Sequence, residues 1–388
     1  MKKLLVASLA LALAGGAAAQ APQTLKVGFV VAQSGALALP GAEQRRGLEI
    51  ALEHLGNKIG GLPVEIVYGD SKTNPGATVQ ELSRVLEKER VHVLVGLTGS
   101  NEILAALKPV TDAKVFFIGA NGGPAQAAGE GCTPYYFNAS FQNEQLTEGI
   151  GQYMARQSKK LYLLGLDYEA GHEHSNAARK GYGNEVVAHV FTPLNQVDFA
   201  GDIAKIRASG ADAVWAFYPG ASGIAFTRQW AQAGMQGKVA LYSNVALSEP
   251  LVFQAQGKTA LGITVTGNYF ASIDNAENHR FVDSFRKKFN RDPASYAGLV
   301  YDAIMLLDSA VREVKGNVAD QQAFRAALKK ANFKSVRGPF KFNHNQQPIQ
   351  NTYVGVVEAG KDGSPYIKLT GTVQEMKPDN FAAKCTMK

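Results

Sequence analysis

Cysteine is scarce: Cys132 and Cys385 are the only two in 388 residues. That excludes a scaffold held by several disulfides and a cysteine-rich zinc site. No segment after the N-terminal stretch is long and apolar enough for a bilayer span, which needs about 20 residues. No run of five or more Lys/Arg occurs, and Lys+Arg (40) only modestly exceed Asp+Glu (33). Nucleic acid is therefore not an expected partner. Disorder is excluded too, because apolar residues reach 46% and charged residues only 19%.

Intact catalytic motifs are also missing. Gly257-Lys258-Thr259 resembles the end of a phosphate-binding loop, but Val252 stands where that loop needs its first glycine. His172-Glu173-His174 looks metal-like, yet the zinc-protease spacing requires a histidine at 176 and Asn176 is there. The triplet reads as a solvated helix start. Gly119-Ala120-Asn121-Gly122-Gly123 lacks dinucleotide-binding spacing, and no G-x-S-x-G elbow occurs. The expectation is a non-enzyme without cofactor or metal. A secreted hydrolase is the weaker alternative.

What is present starts at the N-terminus. Lys2 and Lys3 precede an apolar stretch from Leu4 to Ala14, and Ala17-Ala18-Ala19 supplies an A-x-A cleavage site. Residues 1–19 read as a secretory signal peptide, so the mature chain is expected in the periplasm. Strand-like runs then alternate with helical faces. Leu25–Val31, Pro63–Tyr68, Val91–Leu97 and Val115–Ile118 are strands, with helices between them. The pattern restarts with strands at Leu161–Leu166, Val186–Phe191, Ala213–Tyr218 and Val239–Tyr242. Repeated strand–helix units imply two doubly wound α/β lobes. Cys132–Ser140 and Gly262–Phe270 read as extended crossovers, which implies a cleft and a hinge. Long helices follow, Ala297–Val314 and Gln321–Lys330, and the end is β-like.

Ligands of open α/β sheets bind beyond the carboxyl ends of the strands. Three such ends in the first unit carry suitable chemistry: Ser34-Gly35, Gly99-Ser100-Asn101 and Ala120-Asn121-Gly122-Gly123. Ser100 opens a helix, where free N–H groups and the helix dipole favour an anion. Plain loop and capping chemistry is the competing reading of all three.

The order of segments then carries a resemblance. L-K-V-G-F-V-V-A-Q-S-G-A (Leu25 to Ala36), G-A-E-Q-R-R-G-L-E-I-A-L (Gly41 to Leu52), Y-G-D-S-K-T-N-P-G (Tyr68 to Gly76), L-V-G-L-T-G-S (Leu94 to Ser100) and D-Y-E-A-G-H-E (Asp167 to Glu173) follow one another. The chain resembles periplasmic solute-binding proteins of the branched-chain amino-acid class, which serve ABC transporters. The resemblance implies a type I periplasmic binding protein fold with two lobes joined by three crossover segments. It assigns 24–138 plus 270–335 to the first lobe and 139–269 plus 336–388 to the second. It also implies a membrane permease as partner, a monomer, and a ligand carboxylate held at Gly99, Ser100, Ala120, Asn121 and Gly122, beside Ser34.

Three further positions depart from the family pattern. Asn244 stands near the position of the acid that accepts a ligand ammonium. Ala170 replaces an aromatic residue, and Pro40 stands where an amino-acid binder can carry Tyr. These departures imply a bulkier ligand without an ammonium, an aromatic carboxylate, with a branched-chain or other amino acid as the alternative. Tyr168, His172, Tyr218 and Phe270 are the expected second-lobe and hinge contacts, each with core packing as its competing role. A periplasmic sensor partner is a further alternative for the whole chain. In an oxidising compartment Cys132 and Cys385 either pair, tying the C-terminal tail to the first crossover, or remain two free thiols; pairing is the expectation.

Overall fold

The structure is a computed structural model that describes residues 23–387. The signal-peptide reading of residues 1–19 lies outside the described residues. The chain begins with β1 (Leu25–Val31), α1 (Ala38–His54), β2 (Lys58–Ile59), β3 (Leu62–Asp70) and α2 (Pro75–Ser83). It continues with β4 (Val93–Gly96), α3 (Ser100–Ala113), β5 (Phe116–Gly119), α4 (Ala125–Ala128) and β6 (Tyr136–Asn138). These strands form one sheet in the order β2-β3-β1-β4-β5-β6. All its pairs are parallel except the short β2–β3 ribbon. Continuous apolar runs such as Leu-Lys-Val-Gly-Phe-Val-Val suit parallel strands covered on both faces, and β1 is almost wholly buried.

The second unit contains α5 (Asn143–Ala155), β7 (Leu161–Leu166), α6 (Glu169–Tyr182), β8 (Val186–Thr192) and α7 (Ala200–Ser209). Then come β9 (Ala213–Phe217), α8 (Ala221–Gln232), β10 (Ala240–Asn244), α9 (Pro250–Gln256) and β11 (Thr264–Gly267). The chain next returns to the first sheet as α10 (Ala276–Phe289), α11 (Ser295–Glu313) and α12 (Gln321–Lys330). It ends in β12 (Phe340–Phe342), β13 (Pro348–Ala359) and β14 (Pro365–Lys377). The second sheet runs β12-β13-β11-β10-β9-β7-β8, with β14 on β13. The two extended crossovers are shorter than the sequence pattern implies. β11 is a full member of the second sheet, and β6 closes the first.

One core holds Phe29, Val95 and Ile118 from the first sheet with Phe281, Tyr301, Leu307 and Phe324 from the returning helices. Another holds Leu164, Val214, Phe226 and Trp230. The chain crosses between Tyr269, packed in the first core, and Phe270, packed in the second. At this junction Arg337 is 1% exposed and donates from Nε to Asp302 Oδ2 at 2.7 Å. Its other nitrogens donate to the carbonyls of Ser140 (2.7 Å) and Ala139 (2.7 Å) and to Gln350 Oε1 (2.8 Å). Asn268 Nδ2 also donates to the Ser140 carbonyl, at 3.0 Å. One guanidinium thus ties the segments before α5 and after α12 to the first-lobe helix α11, and the β11 end joins at the same carbonyl. A five-donor planar fork can do this; an ammonium cannot.

Candidate functional site

The carboxyl ends of strands from both sheets face one another across the gap between the lobes. The turn after β4 brings Thr98 and Ser100, the turn after β5 brings Asn121 and Gly122, and the start of α11 brings Tyr296. From the other lobe, Asn143 comes from the start of α5, Tyr168, Ala170 and His174 from the start of α6, Phe217 from β9 and Asn244 from β10. They enclose a chamber of about 40 Å³. A wider cleft of about 1040 Å³ opens between Arg46, Arg286 and Arg291 on one lobe and Glu249, Lys258 and Tyr366 on the other. Its three guanidinium groups are already paired, Arg46 and Arg291 with Glu43 and Arg286 with Asp292. The small chamber is where uncommitted donors converge.

Ser100 is the first residue of α3, so its N–H belongs to the first turn and has no intrahelical acceptor. Its hydroxyl accepts from Asn143 Nδ2 at 2.9 Å, which leaves the hydroxyl proton to be donated elsewhere. Asn121 Nδ2 donates to the Thr98 carbonyl at 2.6 Å and fixes one turn against the other. Gly122 has φ +67°, and a Cβ there would stand 3.2 Å from Ser100 Oγ. Only glycine meets both conditions without strain. Among the described residues no Lys or Arg lines the chamber.

The second-lobe wall depends on the start of α6. A Cβ on Gly171 would lie 1.8 Å from the Leu166 carbonyl oxygen, so the helix can seat this close to β7 only with glycine there. That seating buries Ala170, Glu173 and His174. Glu173 Oε1 accepts from the Ala125 N–H (2.7 Å) and Oε2 from Asn143 Nδ2 (2.7 Å); Asn143 Oδ1 accepts from the Gly123 N–H (3.0 Å). The bonds from Ala125 and Gly123 join the lobes, and the one between Asn143 and Glu173 links them within the second. Burial raises the Glu173 carboxyl to about 8, against its two donors. Glu249 behaves alike: Oε2 accepts from the Ser295 N–H at 2.7 Å, and burial raises it to about 8. Burial also lowers His174 to about 3, so its imidazole is neutral. Tyr168, Phe217 and His174 form an aromatic row, with ring centroids 6.2 and 4.6 Å apart.

Of the residues nominated from sequence, Ser100, Asn121, Gly122, Tyr168 and Asn244 line the chamber. The other six stand off it. Ser34 is exposed and its hydroxyl donates to Asp70 Oδ2 at 2.8 Å. The Gly99 N–H is taken by the Glu102 carboxylate, and the Ala120 N–H by the Gly96 carbonyl at 3.1 Å. Tyr218 packs between Phe199 and Phe226 in the second core, and its hydroxyl bonds Thr192. Phe270 lies in that core and lines the wider cleft. His172 is half-buried off the chamber, 2.7 Å from Asp167 and with its ring centroid 4.0 Å from that of Phe191. Two residues apart on a helix are about 200° apart in direction, so His174, not His172, faces inward. The triplet is therefore only in part a solvated helix start. Ala170 lines the chamber but Pro40 does not. Asn143 escaped the sequence reading, since only the fold brings it to Ser100. Cys132 and Cys385 form a disulfide.

A family model described as a periplasmic binding protein matches residues 24–363. The chain belongs to the periplasmic binding protein family. Leu/Ile/Val-binding protein homolog 6 of Brucella melitensis is 28% identical, over 99% of this chain and all of its own length. A solute-binding protein of an R. palustris ABC transporter, solved in complex with benzoate, matches with a TM-score of 0.89 at 29% identity, over 94% of this chain and 100% of that one. A solute-binding protein of an ABC transporter from Rhodopseudomonas palustris BisB5, in complex with 3,4-dihydroxybenzoic acid, matches with a TM-score of 0.87 at 26% identity, over 92% and 99%. In this periplasmic binding protein the chamber occupies the crevice at the strand ends of both lobes, where doubly wound sheets hold their ligands.

Proposed function

We propose that this periplasmic binding protein is the substrate-binding component of an ABC importer and captures an aromatic carboxylate between its lobes. The observation that carries the ligand class is Asn244. Its Oδ1 accepts from the Ala246 N–H at 3.0 Å, and the amide carries no charge. It cannot give the ammonium of an amino acid the charge pairing that a buried carboxylate would. The carboxylate is held by the N–H and hydroxyl of Ser100 and by the turn at Asn121 and Gly122. Hydrogen bonds to charged groups contribute about 1.5–3 kcal/mol each, so a few of them with ring burial reach the roughly −8 kcal/mol of micromolar binding. The ring lies along the Tyr168–Phe217–His174 row. A chamber of about 40 Å³ holds only a few water-sized groups, so the lobes part slightly around a ring. The solved relatives that hold benzoate and 3,4-dihydroxybenzoic acid support this reading.

The relative named for leucine, isoleucine and valine favours a second reading, a branched-chain amino-acid ligand. In either case the protein acts as a monomer in the periplasm, docks its closed form on a membrane permease and leaves its ligand unchanged. A thermal-shift screen separates the ligands, because a ligand at a hundred times its Kd stabilises by about 2.7 kcal/mol. Benzoate-like acids are expected to give the larger shift. Leucine or valine shifting most, with benzoates inert, overturns the aromatic reading. Asn244→Asp is expected to weaken acid binding; unchanged affinity would place Asn244 outside the ligand contacts.

A further inference from the structure

The chamber and the wider cleft are separate cavities that meet at a shared wall, since Val245 and Ser295 line both. Val245 follows β10 in the second lobe; Ser295 opens α11, which packs on the first sheet. Among the described residues a single hydrogen bond joins the lobes at this wall. Glu249 Oε2, on the cleft side, accepts from the Ser295 N–H at 2.7 Å. Glu249 stands at the N-cap of α9, yet its side chain makes no capping bond there. It reaches instead to the first N–H of α11, one of the donors a helix leaves unpaired at the end where its dipole favours a carboxylate. Glu249 is 2% exposed, and its other oxygen, Oε1, has no partner among the described residues.

We propose that the Glu249–Ser295 bond is a gate between the chamber and the cleft, through which water and small solutes pass while the lobes stay together elsewhere. Opening it breaks one hydrogen bond and gives the orphaned Oε1 access to water, which offsets part of the loss. Parting the lobes breaks more. The Ala125 N–H bond to Glu173 (2.7 Å), the Gly123 N–H bond to Asn143 (3.0 Å) and the Asn143 bond to Ser100 Oγ (2.9 Å) must go as well. Local opening is therefore the lower-energy route into the chamber, and it leads into the open cleft of about 1040 Å³. Glu249 lies outside the chamber lining, so it is a positioning residue that acts by holding Ser295. The gate governs passage and applies to any small solute, whichever ligand class the chamber prefers.

The test is the labelling rate of a thiol placed inside the chamber of the mature chain. Cys132 and Cys385 are paired, so Ala170→Cys, on the α6 wall, supplies the thiol that reacts with methyl methanethiosulfonate. Adding Glu249→Ala is expected to raise that rate about tenfold, with the radius of gyration in solution scattering unchanged. Ser295→Pro deletes the N–H at a first helical position, which suits proline, and is expected to give the same rise. Glu249→Gln keeps an acceptor and Ser295→Ala keeps the N–H, so both are expected to stay within about threefold of the Ala170→Cys parent. The inference fails if Glu249→Ala labels no faster, if its radius of gyration rises along with the rate, or if Ser295→Ala labels as fast as Ser295→Pro. Either of Glu249→Ala and Ser295→Pro decides where the other does not fold. No ligand is present in the assay, so its failure leaves the aromatic-acid reading standing, and failure of that reading leaves the gate.

Discussion

On the proposed reading Ser100 and Gly122 hold the carboxylate, and each makes a distinct prediction. Ser100→Ala removes a hydroxyl that accepts from Asn143 and has its proton left to donate; carboxylate affinity is expected to fall roughly tenfold to a hundredfold. Gly122→Ala puts a Cβ at positive φ and 3.2 Å from Ser100 Oγ, with an expected loss of about 1 kcal/mol in stability and weaker binding. Denaturant titrations and calorimetry check both. The buried carboxyls set a pH response. Glu173 sits at about 8 in the folded chain, above the ordinary carboxyl value near 4.3 of an unfolded one. The folded state therefore binds the extra proton, and stability from this group is lost as pH rises from about 4.3 through about 8. The melting temperature of Glu173→Gln is expected to vary less than that of the parent across this window. An unaltered slope would assign the response elsewhere. Of the residues nominated from sequence, Ser100, Asn121 and Gly122 come to the chamber because backbone turns place them there. His172 stands off it through helix phase, with His174 in the wall instead, and the N–H groups of Gly99 and Ala120 are taken by neighbours.

Among the elements, the strands and helices of both lobes were legible because their apolar periodicities are strong: β1, β7 and α12 fall where the patterns put them. α9 and β2 were not, being short and without period. The bounds of β11 and β6 were hidden because Cys132–Ser140 carries no alternation and that of Gly262–Phe270 is confined to Ile263-Thr264-Val265-Thr266. The C-terminal tail after β14 is joined by Cys385 to Cys132 in the loop preceding β6, across 253 residues. The doubly substituted Cys132→Ser, Cys385→Ser chain is expected to lose about 2–4 kcal/mol of stability. Neither cysteine lines the chamber, so ligand affinity should stay unchanged. Thiol titration checks the bond directly, with two reactive thiols expected only after reduction.

At the scale of the molecule, the proposed capture depends on the two lobes and the narrow junction between them. Arg337 and Asp302 are buried there, and the guanidinium holds the two carbonyls that precede α5. Arg337→Met leaves Asp302 buried without its counter-ion, a change expected to cost about 3–5 kcal/mol. Asp302→Asn in the same background is expected to recover part of it; no recovery would place the loss in packing alone. Ligand that bridges Ser100 on one lobe and α6 on the other favours the closed arrangement. A smaller radius of gyration in solution scattering with bound aromatic acid is the expected sign, and equal radii at saturation would remove closure from the mechanism.

The sequence by itself determined the two doubly wound units and the strand-end turns that come to line the chamber, because periodicity and turn chemistry are local properties. The tertiary structure alone decided which residues meet: Asn143 with Ser100, Glu173 with Ala125, Arg337 with the crossovers, and His174 rather than His172 in the wall. Those pairings depend on helix phase and on the apposition of segments far apart in the chain, and no local pattern encodes a distance between two lobes.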